Sequence, residues 1–234
     1  MAFSVRRINV PSAPEDFERL VSQHYALQCA VLKSLPADQD YLHKMSRAEW
    51  RAFLKDPRHH MIGVYDGDGL IAQLCVLLPD QTNPDADMLD MVLPSKDPND
   101  IATFRTVMTH PEYRGHGLMN ILMTEAKAYA KTKNRTHLLG CITRKKTASW
   151  SQFLKAGFSI VGAGFDPSDN STVYYAHNNT SCKESFNKAA EKKVARDLSL
   201  KKLKGLFNKG YRGVRAEKRD NKYTGRLVLK KFRI

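Results

Sequence analysis

FRTVMTHPEYRGHGLMNILMTEAKAYAK, residues 104–131, reads in three parts. A short extended run ends near His110, a turn holds Arg114-Gly115-His116-Gly117, and an amphipathic helix comes after it. In the helix Leu118, Leu122, Ala126 and Tyr129 recur at helical spacing, with Ile121 and Ala130 widening the stripe. Asn120, Thr124, Lys127 and Lys131 fall elsewhere. One face is therefore core and the other wet. The two glycines let the backbone turn sharply and bring amide N–H groups close to a ligand, and the helix adds unpaired donors and the positive end of its dipole. The residues describe an anion site made of backbone, with an ordinary strand-to-helix loop as the alternative.

The rest of the chain sets bounds on that reading. At 234 residues, 42 per cent of them hydrophobic, it is long enough for one full core and an appendage. No stretch approaches the roughly 18 uninterrupted apolar residues of a membrane span, and the N-terminus has no apolar signal region, so no transmembrane segment and a cytoplasmic location are expected. Arg6 and Arg7 are followed too soon by Glu15 and Asp16 to suggest a transit peptide. Cys29, Cys75, Cys141 and Cys182 lie far apart without a CxxC pair. They read as reduced, buried small hydrophobes, and no metal site is expected.

Charge is unevenly placed. The net charge is +14, but residues 1–179 hold 20 Lys and Arg against 19 Asp and Glu, while residues 180–234 hold 18 against 5. That split predicts a near-neutral body over 1–179 and a basic C-terminal extension over 180–234.

Within the body, Ser4–Val10 reads as a strand and Pro14, Glu15 and Asp16 open a helix running to about Ser34. Ser46 with Glu49 forms a capping box for a second helix carrying Trp50, Phe53 and Leu54. Met61–Tyr65 and Leu70–Leu78 are joined by Asp66-Gly67-Asp68-Gly69, a hairpin signal. Residues 79–100 are acidic and proline-rich. They read as a long loop, either substrate-facing or a solvated excursion with a short strand over 88–93. Thr136–Thr143 reads as a strand, Thr147–Ala156 as a helix capped by Gly157, and Phe158–Val161 and Thr172–His177 as further strands. In the extension, Phe186, Ala190, Val194, Leu198 and Phe207 fall near one helical face, with Leu203 and Leu206 close by. This predicts an amphipathic basic helix up to Gly210, free to dock on the body or on nucleic acid, an anionic membrane surface or an acidic protein. Beyond it, Tyr211 and Tyr223 are interleaved with Arg212, Arg215, Lys218, Arg219 and Lys222, a composition suited to a phosphate backbone with stacked bases.

Glu112-Tyr113-Arg114-Gly115-His116-Gly117, after a strand and before a helix, resembles the pyrophosphate loop Q/R-x-x-G-x-G/A of the GCN5-related N-acetyltransferases (GNAT). Trp150–Phe158, ending in Gly157-Phe158, is similar to the helix and G-F pair downstream in that family. Glu112 departs from it, standing where the family has Gln or Arg. The resemblance covers roughly residues 1–179. It implies an α/β three-layer sandwich around a mixed, mostly antiparallel sheet, with acetyl-CoA held in a V-shaped cleft. By the same resemblance Val107, Met108 and Thr109 would pair with the pantetheine arm, and the amides of Arg114, Gly115, His116, Gly117 and Leu118 would hold the pyrophosphate, Arg114 adding charge. The implied reaction is direct attack of a neutral amine, on a protein or small molecule, at the thioester carbonyl.

The acid and base are less legible. The family's frequent tyrosine acid corresponds to Phe153 here, and Lys146 occupies the position nearest a common CoA-contacting asparagine. Asp100, just before the central strand, and Tyr174 and Tyr175, adjacent on a strand so that one faces inward, are the substitutes on offer. His110 and His116 flank the loop. Two functions stay open: an acyl-CoA-dependent N-acetyltransferase whose basic extension recruits a macromolecular substrate, and a nucleic-acid-associated protein with a GNAT fold and little catalysis. A synthase using longer acyl chains is a third.

Overall fold

The computed structural model describes residues 3–36, 42–83, 92, 96–166, 171–181, 186–194, 198–219 and 222–232. Their packing divides the chain into two compact units, residues 1–79 with 102–133 and residues 80–101 with 134–234.

The first unit contains β1 (Ser4–Ile8), α1 (Pro14–Lys33), α2 (Arg47–Lys55), β2 (His59–Asp66), β3 (Gly69–Leu77), β4 (Ile101–Thr109) and α3 (Leu118–Thr132). Its strands pair antiparallel in the order β1-β2-β3-β4. Helix α1 starts on Pro14, carries Glu15 and Asp16 at its positive end and closes on Lys33. Helix α2 has the expected capping box: Glu49 N–H donates to Ser46 Oγ at 3.2 Å and Ser46 N–H to Glu49 Oε2 at 2.6 Å. The two helices cluster Phe17, Leu20, Val21, Leu27, Trp50 and Leu54 with Met61, Cys75 and Met108 of the sheet. His60 packs instead on Tyr129 of α3, ring centroids 4.9 Å apart. Alternation along β2 and β3 thus gives α1 and α2 one face and α3 the other. In α3 the buried stripe widens toward Met123 and Ala130, while Ile121 is 36% exposed. The sheet lies to one side of the Leu118–Leu122–Ala126 line, which the spacing alone left open.

The second unit contains β5 (His137–Thr143), α4 (Thr147–Lys155), β6 (Ser159–Phe165), β7 (Thr172–Asn179), β8 (Phe186–Val194), α5 (Leu200–Asn208), β9 (Tyr211–Arg219) and β10 (Lys222–Phe232). These strands also pair antiparallel, in the order β5-β7-β6-β9-β10-β8. The fold is α/β on a mostly antiparallel sheet. Gly157, at φ 84°, ends α4 in the left-handed region as expected.

The extension differs from its expectation. Phe186–Val194 is strand β8, and among the described residues of the extension only Leu200–Asn208 is helical. The four-residue spacing of Phe186, Ala190 and Val194 fits a helix, but cross-strand pairing with β10 outweighs that weak local preference. Strands β9 and β10 pair antiparallel, and Leu227, Val228 and Leu229 of β10 are buried. Strand β9 joins β6 at Ile160 and Gly213, where a Cβ on Gly213 would lie 2.8 Å from Leu227 and 2.9 Å from Ile160. Leu203 and Phe207 are buried, and Arg144 donates from Nη2 to Leu198 O at 2.8 Å. Strands β8, β9 and β10 thus continue the sheet of the second unit, where the sequence led to the expectation of a helical appendage.

The short strand expected over 88–93, Cys182 and most of the loop 79–100 lie outside the described residues. Cys75 is buried, Cys29 and Cys141 half-buried, and none of the three is in a disulfide. Among the described residues no helix is long and apolar enough to cross a membrane.

Candidate active site

Strand β4 reaches the site through a bulge. Met108 faces Gln73 and Arg105 faces Cys75, so Thr106 and Val107 together oppose Leu74. Thr106 takes φ 46°, an unusual conformation for a β-branched residue. Val107, Met108 and Thr109 lead from it into the loop, where His110 N–H donates to Ile71 O at 2.8 Å.

Pro111–Tyr113 is a single 3-10 turn. Three sets of contacts pin this turn and the residues up to His116. Tyr113 Oη donates to Asp66 Oδ2 at 2.8 Å, which raises the phenol above its ordinary range. Arg114 donates from Nη2 to Ser34 Oγ at 2.8 Å, and that hydroxyl donates to Val31 O at 2.7 Å. His116 Nδ1 donates to Tyr113 O at 3.2 Å, and the Phe3 ring packs edge-on against Tyr113 and His116.

Gly115 and Gly117 sit at φ 87° and 74°, and a Cβ added to either would meet nothing within 4 Å. Their conformation needs glycine, and the space beside them is open. Gly117 is the N-cap of α3, with no side chain capping it. The N–H groups of Leu118 and Met119 have no acceptor within α3, as in any first turn. The turn therefore presents backbone donors, a dipole end and an exposed guanidinium whose described partner, Ser34, is neutral. That set suits a phosphate group. Glu112, the residue at odds with such a site, has a side chain 83% exposed, its Oε2 4.0 Å from His110 Nδ1.

The acid–base candidates lie elsewhere. Asp100 is exposed at the end of the 3-10 turn Pro98–Asp100, and its carbonyl accepts from Thr136 N–H at 2.9 Å. Tyr174 and Tyr175 are both buried, so adjacent residues of β7 are covered on opposite sides of the strand. Tyr174 packs edge-on against Trp150 with the Arg144 guanidinium 5.5 Å from its ring, and burial raises its phenol. Tyr175 directs its hydroxyl to Phe165 O at 3.5 Å. Phe153 is buried edge-on against Phe158. All three aromatics serve the core of the second unit. Sequence reasoning missed Thr106, Ser34 and Asp66. Nothing marks a bulge at Thr106, a good strand residue, and Asp66 read only as a turn residue.

The model of the Acetyltransferase (GNAT) family matches residues 25–158, more than half of the chain, with β4, the glycine turn and α3 inside the match. The chain belongs to the GNAT family. No curated protein sequence is similar enough to the chain to count as a match. Among solved structures, it is similar to an N-acetyltransferase from Staphylococcus aureus Mu50, with 12% identity, a TM-score of 0.57 and coverage of 77% of this chain and 99% of that one. It is also similar to yncA, a putative acetyltransferase of Salmonella typhimurium solved with its cofactor acetyl-CoA, at 13% identity, TM-score 0.54 and coverage of 77% and 95%. The ribosomal-protein-S18-alanine N-acetyltransferase of Escherichia coli aligns at 11% identity and TM-score 0.54, over 78% and 96%. At such identities the likeness is one of fold. Strands β8, β9 and β10 and helix α5 lie beyond the residues the GNAT model matches.

Proposed function

We propose that this GNAT chain is an acetyl-CoA-dependent N-acetyltransferase acting on an amine. The observation that carries the reading is the pair of left-handed glycines, with open space beside them, at the start of an uncapped helix. In this reading the N–H groups of residues 114–118 and the Arg114 guanidinium hold the pyrophosphate, and the backbone of Val107, Met108 and Thr109 pairs with the pantetheine arm. Bound acetyl-CoA supplies a thioester carbonyl open to attack by a neutral amine. The chain contributes placement of that carbonyl and backbone dipoles directed at it, the terms that carry most of the rate where reactants are held in register.

A macromolecular acceptor with an acidic or phosphate-rich surface is the substrate class we favour. What supports it is the exposed face of α5, where Lys201, Lys202, Lys204 and Lys209 stand in water while Leu203 and Phe207 turn inward. Helix α5 is anchored, so its charge is displayed on a rigid element.

The test is thiol release from acetyl-CoA with basic proteins, polyamines, amino acids and aminoacylated RNA as acceptors. Acceptor-dependent release, lost in Gly115→Asp with Gly117→Asp, is the expected result. A folded wild-type chain that neither binds acetyl-CoA nor releases thiol, but binds nucleic acid with strong salt dependence, replaces this reading with that of a binding protein.

A further inference from the structure

Two buried polar side chains of the first unit lead to the β4 bulge. His24 of α1 and Gln73 of β3 are both fully buried. Their side chains meet at 2.6 Å, His24 Nδ1 to Gln73 Oε1, and Gln73 Nε2 donates to Thr106 O at 3.5 Å. The order of donors is dictated by the last acceptor. A carbonyl only accepts, so the amide nitrogen faces Thr106, the amide oxygen faces the imidazole, and His24 carries its proton on Nδ1.

The ring is held in that state. It stacks on Trp50 at 5.2 Å and 22°, and its Nε2 is buried without a hydrogen-bond partner among the described residues. A second proton on Nε2 would find no acceptor. Burial accordingly pushes the His24 pKa down to about 4, against the opposing hydrogen bond that the ring donates to Gln73. At neutral pH the imidazole is a fixed, uncharged donor.

Thr106 is the residue that needs such support. A β-branched side chain at φ 46° is strained and persists only where the surroundings dictate it. His24 and Gln73 could satisfy one hydrogen bond between themselves anywhere in a core. Here the pair ends on the carbonyl of the one described β4 residue with a left-handed backbone.

We propose that Gln73, oriented by His24, is a positioning residue for acyl transfer: it holds the Thr106 carbonyl so that the bulge sets the direction of the 106–107 backbone toward the bound thioester carbonyl. The inference rests on the acetyl-CoA reading proposed for this chain. It concerns the acyl end of the ligand, whereas Gly115 and Gly117 concern the phosphate end. The two are separable by experiment.

The full chain is loaded with acetyl-CoA labelled with 13C at the carbonyl, and three things are measured: the carbonyl resonance, CoA affinity by calorimetry, and kcat and KM for thiol release. In Gln73→Met the bound carbonyl resonance moves toward its value in free acetyl-CoA and kcat falls about tenfold to a hundredfold. CoA affinity and KM stay at the wild-type level. Adding Thr106→Gly, which makes the left-handed backbone accessible without help, restores both the resonance and most of kcat. His24→Asn, which keeps a donor near Nδ1, retains more of kcat than His24→Leu. Should Gln73→Met not fold, the Gln73→Met, Thr106→Gly pair is read instead, and its failure to fold or to turn over overturns the proposal. An unchanged resonance and kcat in a folded Gln73→Met chain overturn this inference alone. A wild-type chain that binds no acetyl-CoA overturns the reading on which it rests, and this inference with it.

Discussion

The hydroxyl of Tyr113 donates to the carboxylate of Asp66 at 2.8 Å across 47 residues of sequence. It ties the turn ahead of α3 to the end of the β2–β3 hairpin, so Gly115 and Gly117 inherit their position from the sheet. Tyr113→Phe removes the tie and leaves the ring on Phe3. We expect the chain to fold with little change in melting temperature and the dissociation constant for CoA to rise by up to about tenfold, the equivalent of one hydrogen bond. Isothermal calorimetry at fixed salt checks this. An unchanged constant would show that the turn holds its shape without Asp66.

Gly117 separates conformation from charge. An alanine there meets no atom, so its effect is backbone strain, on the order of 1–2 kcal/mol, or a few degrees of melting temperature for a chain of this size. An aspartate tolerates the left-handed region better and complements the helix dipole. Gly117→Asp is expected to melt no lower than Gly117→Ala while binding CoA at least about a hundredfold more weakly than wild type, through the carboxylate placed where the pyrophosphate would lie. Paired melting and binding curves decide it. Parallel losses in both would assign the glycine to the fold alone.

Two buried histidines set an acid limit. Burial drives His24 down to about 4, and burial followed by His137, Arg212 and Lys96 drives His177 to about 4. In the unfolded chain both titrate near 6.5. Between those values the unfolded state binds more protons, so stability is fully present above about pH 6.5 and is lost as pH falls toward 4. The melting temperature is expected to drop across that window, and His24→Asn to flatten the drop. A melting temperature constant from pH 7 to 4.5 would contradict the buried, neutral state of these rings.

How far this could be read from the sequence depends on period and range. The capping box of Ser46 and Glu49, the proline start of α1, the Gly67 hairpin and the glycine turn are all local devices, spelled by residues within a few positions of one another. They appeared where expected. Thr106 was invisible because its strain is imposed by Gln73 and His24, which approach from distant elements. Phe186, Ala190 and Val194 misled because their spacing satisfies a helix as well as it satisfies a strand, and the deciding partner, β10, comes more than thirty residues later. Charge misled in a similar way. Lysines and arginines dominate 180–234, yet Leu203, Phe207, Leu227, Val228 and Leu229 are buried among them.

Those five buried residues make the extension part of the core. Each contributes roughly 1.5–3 kcal/mol by leaving water. A chain ending at Asn179 is therefore expected to be insoluble or molten, and Leu203→Ala in the full chain to cost about 2–5 kcal/mol. Recruitment by α5 is tested with the chain intact, by Lys201, Lys202, Lys204 and Lys209 to Gln, which leaves the melting temperature near wild type and raises KM for a macromolecular acceptor but not for a small amine. Denaturant melts and acceptor titrations check these expectations. A soluble, cooperatively folding chain ending at Asn179 would contradict the packing described.

The pairing of β9 with β6 also imposes an order on biosynthesis. Strand β6 is complete at Phe165 and its first neighbour, β7, at Asn179, but its other neighbour, β9, begins at Tyr211. At about 5–20 residues per second, the ribosome needs several seconds to span that interval. During it the β6 edge and the apolar surface awaiting Leu227–Leu229 stand open, an invitation to chaperones and to misassembly alike. Strand β8, synthesised first, must wait on β10 to be received into the sheet. A nascent chain of this protein is committed to its second unit only when the paired strands β9 and β10 arrive, and a ribosome that stalls before Tyr211 would release a species recognised by quality control as unfinished.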